Sequence, residues 1–336
     1  MNLAARSNIA NKIRNTHLPR TKPLMPLFEV ISNSIHAIAE ARKAKQLTGN
    51  GEVKIRIIRN GDPATLAQLK EIDEYPIKSF EVVDNVIGLN DENLNFFIET
   101  DTDHKIEIGG KGVGRFICLK AFQFMKVESC FSNGDGKVFR EFEFRNTKEG
   151  FHSPREEKPA SNGRAIGTKV ILTNYKEEYQ KHVAHALRDV AREIILHFQL
   201  YFIQGNAPKI TLENQNKDFV DLQTVFGQDF QSDIESKEFT VAGHNLKLFL
   251  SKSFKAQSHK LFYCAHNREV ISEGLAKKIV DLGKYSVKFE GGNFYYQAFV
   301  VGDVLDQYVG HERIGFIFPA DDDEDDDEPS LAFVDE

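Results

Sequence analysis

A carboxylate and a carboxamide lie one helical turn apart in the segment LFEVISNSIHAIAEA, residues 27–41. At about 100° per residue, the apolar side chains of this segment fall in one stripe, and Glu29 and Asn33 fall on the opposite side. A carboxylate can take a proton from water, and a carboxamide oxygen can ligate a hard cation such as Mg²⁺. The pair is therefore a candidate lining for a ligand pocket, although a solvated helix face would show the same pattern.

Two further polar residues lie at strand ends. Asp84 ends the apolar strand of EVVDNVIGL, residues 81–89, and Gly88 lies in the turn that follows. A carboxylate there can accept hydrogen bonds from an exocyclic amine, but an Asp-Asn pair is also a common turn former. Thr168 begins the strand GTKVILTN, where its hydroxyl could hold a purine edge; by itself this residue carries little information.

The segment IEIGGKGVGRF, residues 106–116, carries four glycines just before a predicted helix. Backbone N–H groups in such a segment can bind phosphates. The P-loop pattern G-x-x-x-x-G-K-[ST] is excluded because Lys111 is followed by Gly112. The dinucleotide pattern G-x-G-x-x-G also fails, since the order here is G-x-x-G-x-G. A flexible hinge is the alternative interpretation.

These residues need elements to position them, and the sequence predicts an α+β protein with a mostly antiparallel sheet and helices on one face. The predicted elements are a helix over 27–41, strands 52–60 and 78–85, a helix 92–98, a loop 99–111, a helix from 112 followed by two strands, a surface excursion 146–166, a strand 167–174 and a helix 177–201. A second α+β segment has strands NLKLFLS, KLFYCAHNREV and NFYYQAFVV. The predicted domains are an arm 1–22, a first domain 23–212, a second domain 219–318 and an acidic, disordered tail 319–336.

Composition sets limits on the class of protein. The 336 residues suffice for about two domains, and 41% hydrophobic residues can supply a core. The net charge is −7, but residues 321–328 are eight consecutive acids, so a wholly basic nucleic-acid binder is disfavoured and a local basic patch stays possible. Three separated cysteines and the lack of a long apolar run predict a cytoplasmic protein without disulfides, zinc or membrane spans. The apolar segment SLAFV, which follows the acidic run, suggests that this sequence is a fragment of a longer chain.

Taken together and in this order, the four motifs resemble the GHKL ATPase superfamily, which includes gyrase B, the ninety-kilodalton heat-shock chaperones, histidine kinases and MutL. They are E-x-x-x-N on a helix, D-x-x-x-G after a strand, G-x-x-G-x-G before a helix and G-T before a late strand. The resemblance covers residues 20–205, and IGGKGVGRF and GTKVIL are most similar to the chaperone branch. It implies the GHKL (Bergerat) ATP-binding sandwich, with ATP and Mg²⁺ as ligands.

The resemblance also implies a role for each matching residue. Glu29 would be the general base for the attacking water, Asn33 the magnesium ligand and Asp84 the acceptor for the adenine amino group. Thr168 would support Asp84, and Gly88 would lie in the pocket wall. Residues 99–111 would form a lid, and the phosphates would be bound by Gly109, Lys111, Gly112, Val113 and Gly114.

Two positions depart from the family pattern. Many members have Gly two residues after the adenine-binding Asp, where this chain has Val86, and Asp three residues after the magnesium-binding Asn, where it has His36. Val86 would add two methyl groups to the pocket wall, and His36 would change the polar network. Glu29 itself is present, whereas histidine kinases generally lack a water-activating Glu there, so the resemblance favours hydrolysis over phosphotransfer.

The segment FYCAHNREVISEGLAKKI resembles the transducer domain that follows the ATP-binding domain in MutL and gyrase B. In the superfamily this domain sends a basic residue to the γ-phosphate, where a cation stabilises charge that develops in the transition state. The candidate is Arg313 in VLDQYVGHERIGF, and the alternative is a solvated Arg near the chain end. Rivals for the same role are Lys277, Lys278 and Lys284.

These features predict a magnesium-dependent ATPase whose nucleotide state controls closure of a homodimer. The resemblance leaves open whether such a switch acts on a protein client or on DNA, and members with this layout often serve bacterial stress or antiphage-defence systems. One alternative, motivated by Val86, is a degenerate member that binds nucleotide without hydrolysing it. Another is a MutL-like clamp or a DNA-binding module with incidental ATP affinity, whose binding to DNA must weaken steeply with salt.

Overall fold

The computed structural model describes residues 8–47, 51–98, 114–134, 136–161, 163–230, 234–254, 256–289, 292–310 and 315–318. The helices are α1 (Ile9–Asn15), α2 (Met25–Lys43), α3 (Pro63–Leu66), α4 (Asp91–Ile98), α5 (Gly114–Ala121), α6 (Glu177–Gln180), α7 (Leu187–His197), α8 (Gln199–Ile203), α9 (Leu222–Asp229) and α10 (Asp303–Tyr308). The strands are β1 (Glu52–Arg59), β2 (Ile77–Asp84), β3 (Phe122–Asn133), β4 (Gly136–Arg145), β5 (Phe151–Glu157), β6 (Gly167–Tyr175), β7 (Lys209–Glu213), β8 (Phe219–Asp221), β9 (Glu235–Val241), β10 (His244–Ser253), β11 (Lys260–Ala265), β12 (Arg268–Gly274), β13 (Val287–Phe289) and β14 (Gly292–Val301). Two 3₁₀ turns lie at Leu275–Lys277 and Val280–Leu282.

Two mostly antiparallel sheets with helices make up the described structure, which confirms the predicted α+β class. The first sheet has eight strands in the order β5-β4-β3-β6-β2-β1-β7-β8, and β1 with β7 is its parallel pair. The second sheet has the order β12-β11-β14-β10-β9, and β13 pairs with β14. In the second sheet β11 and β14 run parallel.

The first sheet has one charged face and one face covered by helices. On the charged face, ion pairs form both along and between strands. The Lys169 ammonium lies 3.7 Å from Glu81 on the neighbouring strand β2, and the Lys126 ammonium lies 2.7 Å from Glu128 on its own strand and 3.4 Å from Glu141 on β4. Because successive side chains alternate between faces, the neighbouring positions point to the other side. That side holds the core under α2 and α5.

Helix α2 forms because its apolar residues recur at helical spacing and Pro26 stands in its first turn, where a missing N–H costs little. Leu27 and Ile31 are fully buried, and Ile35 and Ile38 are nearly so. The stripe that the sequence predicts therefore packs into the core. Burying side chains of this size stabilises the fold by about 1.5–3 kcal/mol each.

Two segments predicted to be irregular instead carry regular structure. Within the predicted arm 1–22, α1 buries Ile9 and Ile13, so residues 8–22 belong to the first unit. Within the predicted surface excursion 146–166, β5 pairs with β4 at the sheet edge. The charges and proline of β5 obscured it in the sequence, since edge strands often carry such residues to prevent aggregation.

The long helix predicted over 177–201 is wrong, because the chain there forms α6, α7 and α8. A buried guanidinium explains the interruption before α7. Arg59 donates to the His185 carbonyl at 2.7 Å and to Asp73 Oδ1 at 2.7 Å, and Asp73 Oδ2 accepts from the Leu187 N–H at 3.1 Å. These partners are distant in sequence, so no local pattern could predict the break.

The described residues fall into two compact units. The first contains residues within 8–98, 114–197 and 207–225, and the second contains residues within 198–206 and 226–318. Polar residues 213–218, where the sequence suggests a boundary, instead form the turn between β7 and β8 of the first sheet. The chain passes from the first unit to the second after His197, returns after Asn206 and passes again after Val225, so α8 belongs to the second unit.

The second unit packs its sheet against α8 and α10. Its core contains two clusters, and their buried members are Leu246, Ala265, Val300, Val304, Leu305 and Phe316, and Leu200, Phe249, Cys264 and Phe299. The predicted single strand KLFYCAHNREV is a hairpin, because His266 and Asn267 adopt positive φ angles and reverse the chain between β11 and β12. Among the described residues, no helix combines the length and apolarity needed to span a membrane.

Candidate functional site

Asp84 is a buried carboxylate at the end of β2, with 7% of its surface exposed. Its Oδ1 accepts from the backbone N–H of Thr168 at 3.1 Å and of Val86 at 3.4 Å, and its Oδ2 accepts from the Ser34 hydroxyl at 3.2 Å. Burial raises the pKa of Asp84 to about 6, although these hydrogen bonds oppose the shift. A carboxylate can accept about four hydrogen bonds, so one acceptor position is left for a ligand donor.

Thr168 contacts Asp84 through its backbone rather than through its side chain. The Thr168 hydroxyl instead lies 3.1 Å from the Ser129 hydroxyl on β3. Ser129 Oγ also donates to the Gly167 carbonyl at 3.0 Å and accepts from the Leu89 N–H at 2.7 Å. Ser129 thus joins the Thr168 strand to the turn that follows Asp84.

Two glycines allow the backbone to approach closely around Asp84. Gly88 has a φ of +72°, and a Cβ there would collide with the Cys130 carbonyl. Gly167 has a φ of +145°, and a Cβ there would collide with the Asp84 carbonyl. Both conformations favour glycine, and both contacts exclude a side chain. The end of β2 and the turn after it therefore pack closely against β6 and β3.

Glu29 on α2 lies directly against the first residue of α5. A Cβ added to Gly114 would lie 2.6 Å from Glu29 Oε2. The Glu29 side chain is half-buried, so it keeps access to solvent. The carboxylate therefore lies where the glycine-rich segment enters its helix.

The next turn of α2 carries Asn33 and Ser34. Asn33 is exposed, and His36 is half-buried one turn further along. Because Ser34 binds Asp84 and Glu29 contacts Gly114, a short stretch of α2 touches both the end of β2 and the start of α5. No three His, Cys, Asp or Glu side chains of the described residues cluster to hold a metal. A Mg²⁺ that bridges nucleotide phosphates needs only one or two protein oxygens, for which Asn33 is accessible.

Several predicted site residues lie outside the part of the chain that the structure describes. They are Gly109, Lys111, Gly112, Val113, Arg313 and the whole of the predicted lid 99–111. The rivals of Arg313 belong to the second unit, where Lys277 and Lys284 are exposed and the Lys278 ammonium lies 3.3 Å from Glu273. The basic residue that would contact a γ-phosphate therefore stays a prediction.

Three residues of the site escaped the sequence analysis: Ser34, Ser129 and Arg140. Ser34 lies beside the polar face that the helical pattern defines, and it is buried. Ser129 and Arg140 are polar residues of alternating strands, at positions that the alternation places in the core. A polar residue at a position predicted to be buried is the feature of the sequence that could have identified them, because buried polar side chains need hydrogen-bond partners.

A separate cavity of 460 Å³ lies in the first unit, away from Asp84. Its lining includes Arg14, Lys120 and Lys176. The Lys176 ammonium donates to the Leu119 carbonyl at 2.8 Å and to the Lys120 carbonyl at 3.0 Å, and Lys120 donates to the Arg14 carbonyl at 3.1 Å. These lysines cap the C-terminal ends of α5 and α1, so helix capping accounts for them.

No protein-family model matches this chain, and no curated protein matches it. A functional assignment therefore depends on the geometry around Asp84 and Glu29 and on the motif resemblance.

Proposed function

We propose that this protein is a magnesium-dependent GHKL-type ATPase that uses its nucleotide state as a conformational switch. The observation that carries the proposal is that α2 contacts both the end of β2, through Ser34 and Asp84, and the start of α5, through Glu29 and Gly114. Residues from three separate sequence motifs, Glu29, Asp84 and Gly114, thus lie on or against one short stretch of α2.

Asp84 would receive the adenine amino group. The carboxylate is buried, its orientation is set by Ser34, Val86 and Thr168, and it retains an acceptor position. A buried acceptor selects strongly for a ligand that donates a hydrogen bond, because any other ligand leaves it unpaired. This favours adenine over a base that lacks an amino donor at that position.

Glu29 and Gly114 would act at the phosphate end. Gly114 has no side chain between the Glu29 carboxylate and the start of α5, so backbone N–H groups and a general base can face the same ligand. Mg²⁺, held through the Asn33 amide oxygen, would neutralise phosphate charge when bound. Glu29 would take a proton from the attacking water, which makes hydrolysis the expected reaction.

The switch would operate through closure of a homodimer on ATP binding, followed by reopening after hydrolysis. A protein client or DNA would be the target, in a cytoplasmic bacterial stress or antiphage-defence setting. A non-hydrolysing nucleotide-binding module is the second candidate, and a specific observation favours it. Val86, where many members of the superfamily have glycine, is buried, and its N–H donates to Asp84 Oδ1 at 3.4 Å.

Calorimetric titration with Mg-ATP, combined with steady-state phosphate release, tests the proposal. Wild type should bind Mg-ATP and release phosphate, Asp84→Asn should lose binding, and Glu29→Ala should bind but not turn over. Wild-type binding without phosphate release would instead support the non-hydrolysing module. Wild type that does not bind Mg-ATP would refute both.

A further inference from the structure

A row of polar residues crosses four neighbouring strands on the helix-covered face of the first sheet. Ser129 on β3 is the register partner of Thr168 on β6 and of Arg140 on β4. Asp84 on β2 follows the register pair Val83 and Lys169, which places it beside Thr168. Register partners in antiparallel strands share a face, so the row runs from Asp84 to Arg140.

Arg140 and Ser129 both bind the backbone of Leu89. The Leu89 N–H donates to Ser129 Oγ at 2.7 Å, and the Leu89 carbonyl accepts from Arg140 Nη1 at 3.1 Å. Arg140 Nη2 also donates to Asp91 Oδ1 at 2.5 Å, at the start of α4. The turn between β2 and α4 is thus fixed near Asp84 by Val86 and at its far end by Arg140.

The Arg140 side chain is itself held in place. Its Nε and Nη2 donate to Glu156 Oε2 at 3.1 and 2.7 Å, and its guanidinium lies 4.9 Å from the centroid of the Phe131 ring. Only 8% of the residue is exposed. A planar guanidinium can satisfy a carbonyl and two carboxylates at once, which a lysine ammonium of different shape cannot reproduce.

We propose that Arg140 is a positioning residue for the nucleotide site, since it sets the height of the turn 85–91 over the sheet and so shapes the pocket wall beside Asp84. This inference rests on the proposed function. Arg140 does not contact the reacting groups. Its loss should therefore weaken nucleotide binding and leave the chemical step intact.

The test compares Arg140→Met with Arg145→Met. Arg145 lies on the same strand, donates to Glu143 at 2.7 Å and lies 4.1 Å from the centroid of the Phe124 ring, so it also contacts a carboxylate and a ring, but it is more exposed than Arg140 and does not bind the turn 85–91. It lies five residues away, about 17 Å along the strand. We expect Arg140→Met to raise Kd and KM for Mg-ATP about tenfold with kcat within about twofold, and Arg145→Met to change neither. Arg140→Lys should restore less than half of the lost binding energy.

Hydrogen exchange of the Leu89 amide in ligand-free protein gives a readout that does not depend on nucleotide. It should become at least about tenfold faster in Arg140→Met and stay unchanged in Arg145→Met. If Arg140→Met does not fold, Asp91→Ala removes one Arg140 contact from an exposed side chain, and it should raise Kd about threefold.

Two results would overturn the inference. One is unchanged Leu89 exchange in Arg140→Met; the other is an Mg-ATP Kd in that variant equal to that of Arg145→Met. A wild type that fails to bind Mg-ATP would refute the proposed function instead, while the exchange measurement would still decide whether Arg140 fixes the turn.

Discussion

The Ser34 hydroxyl lies 3.2 Å from Asp84 Oδ2, so a hydrogen bond ties α2 to the end of β2. Both residues are buried, and their positions are 50 residues apart in the sequence. Removing the hydroxyl takes a donor away from a buried carboxylate, which costs more than an exposed hydrogen bond would. The relationship makes Ser34 a support for the proposed adenine contact.

We therefore expect Ser34→Ala to lower the free energy of unfolding by about 1–3 kcal/mol at pH 7, as measured by urea denaturation. It should also weaken Mg-ATP binding. Ser32→Ala is the matched control, because Ser32 is also buried on α2 and does not bind Asp84. Equal effects of the two substitutions would show that the Asp84 contact contributes nothing.

Stability should depend on pH through Asp84. Burial raises its pKa from an ordinary 3.8 to about 6, so the folded protein binds this proton more tightly than the unfolded chain. The resulting stabilisation is complete below the unfolded pKa and is lost as pH rises through about 6. Relative to Asp84→Asn, wild type should lose up to about 3 kcal/mol of unfolding free energy between pH 4 and pH 7. A difference between the two that is constant over this range would contradict the assignment.

Nucleotide affinity should show the opposite pH dependence. The ionised carboxylate is a stronger acceptor for an amino donor than the protonated group, so Mg-ATP binding should strengthen as pH rises through about 6. Calorimetric titrations between pH 5 and pH 8 would measure this change. GTP is the control ligand, because it lacks the adenine amino group and should bind weakly at every pH.

Glu29→Gln should separate binding from hydrolysis. The amide keeps the size of the side chain beside Gly114 but cannot accept a proton from water. We expect kcat for phosphate release to fall at least about 100-fold with a Kd for Mg-ATP within about threefold of wild type. Glu40→Gln, at an exposed position of the same helix, should leave both quantities unchanged. Equal turnover in wild type and Glu29→Gln would exclude Glu29 as the general base.

The loss of stability caused by a side chain at Gly88 can be compared with the loss at a second glycine. Gly88 and Gly134 both have positive φ, but a Cβ at Gly134 would meet no atom within 4 Å. Gly134→Ala should therefore cost about 1 kcal/mol for backbone strain alone. Gly88→Ala adds a collision with the Cys130 carbonyl and should cost at least about 2 kcal/mol more in thermal or urea unfolding. Similar losses in the two variants would show that the turn can move away from β3.

The sequence predicted much of the local structure because the patterns that identify helices and strands depend on neighbouring residues. The apolar stripe of α2, the alternation in β1 and β2 and the glycines near Gly114 each arise within a few residues. It failed for β5 and for the break before α7. The first is an edge strand whose charged residues resemble a loop, and the second depends on Arg59, whose partners are far away along the chain.

By itself, the sequence determined the α+β class and drew attention to Glu29, Asn33, Asp84, Gly88 and Thr168 as residues with suitable chemistry. Only the tertiary structure decided which of them are neighbours. It also decided that Ser34, Ser129 and Arg140 complete the polar group around Asp84. The physical reason is that hydrogen bonds between strands depend on register, and register is set by the packing of the whole sheet.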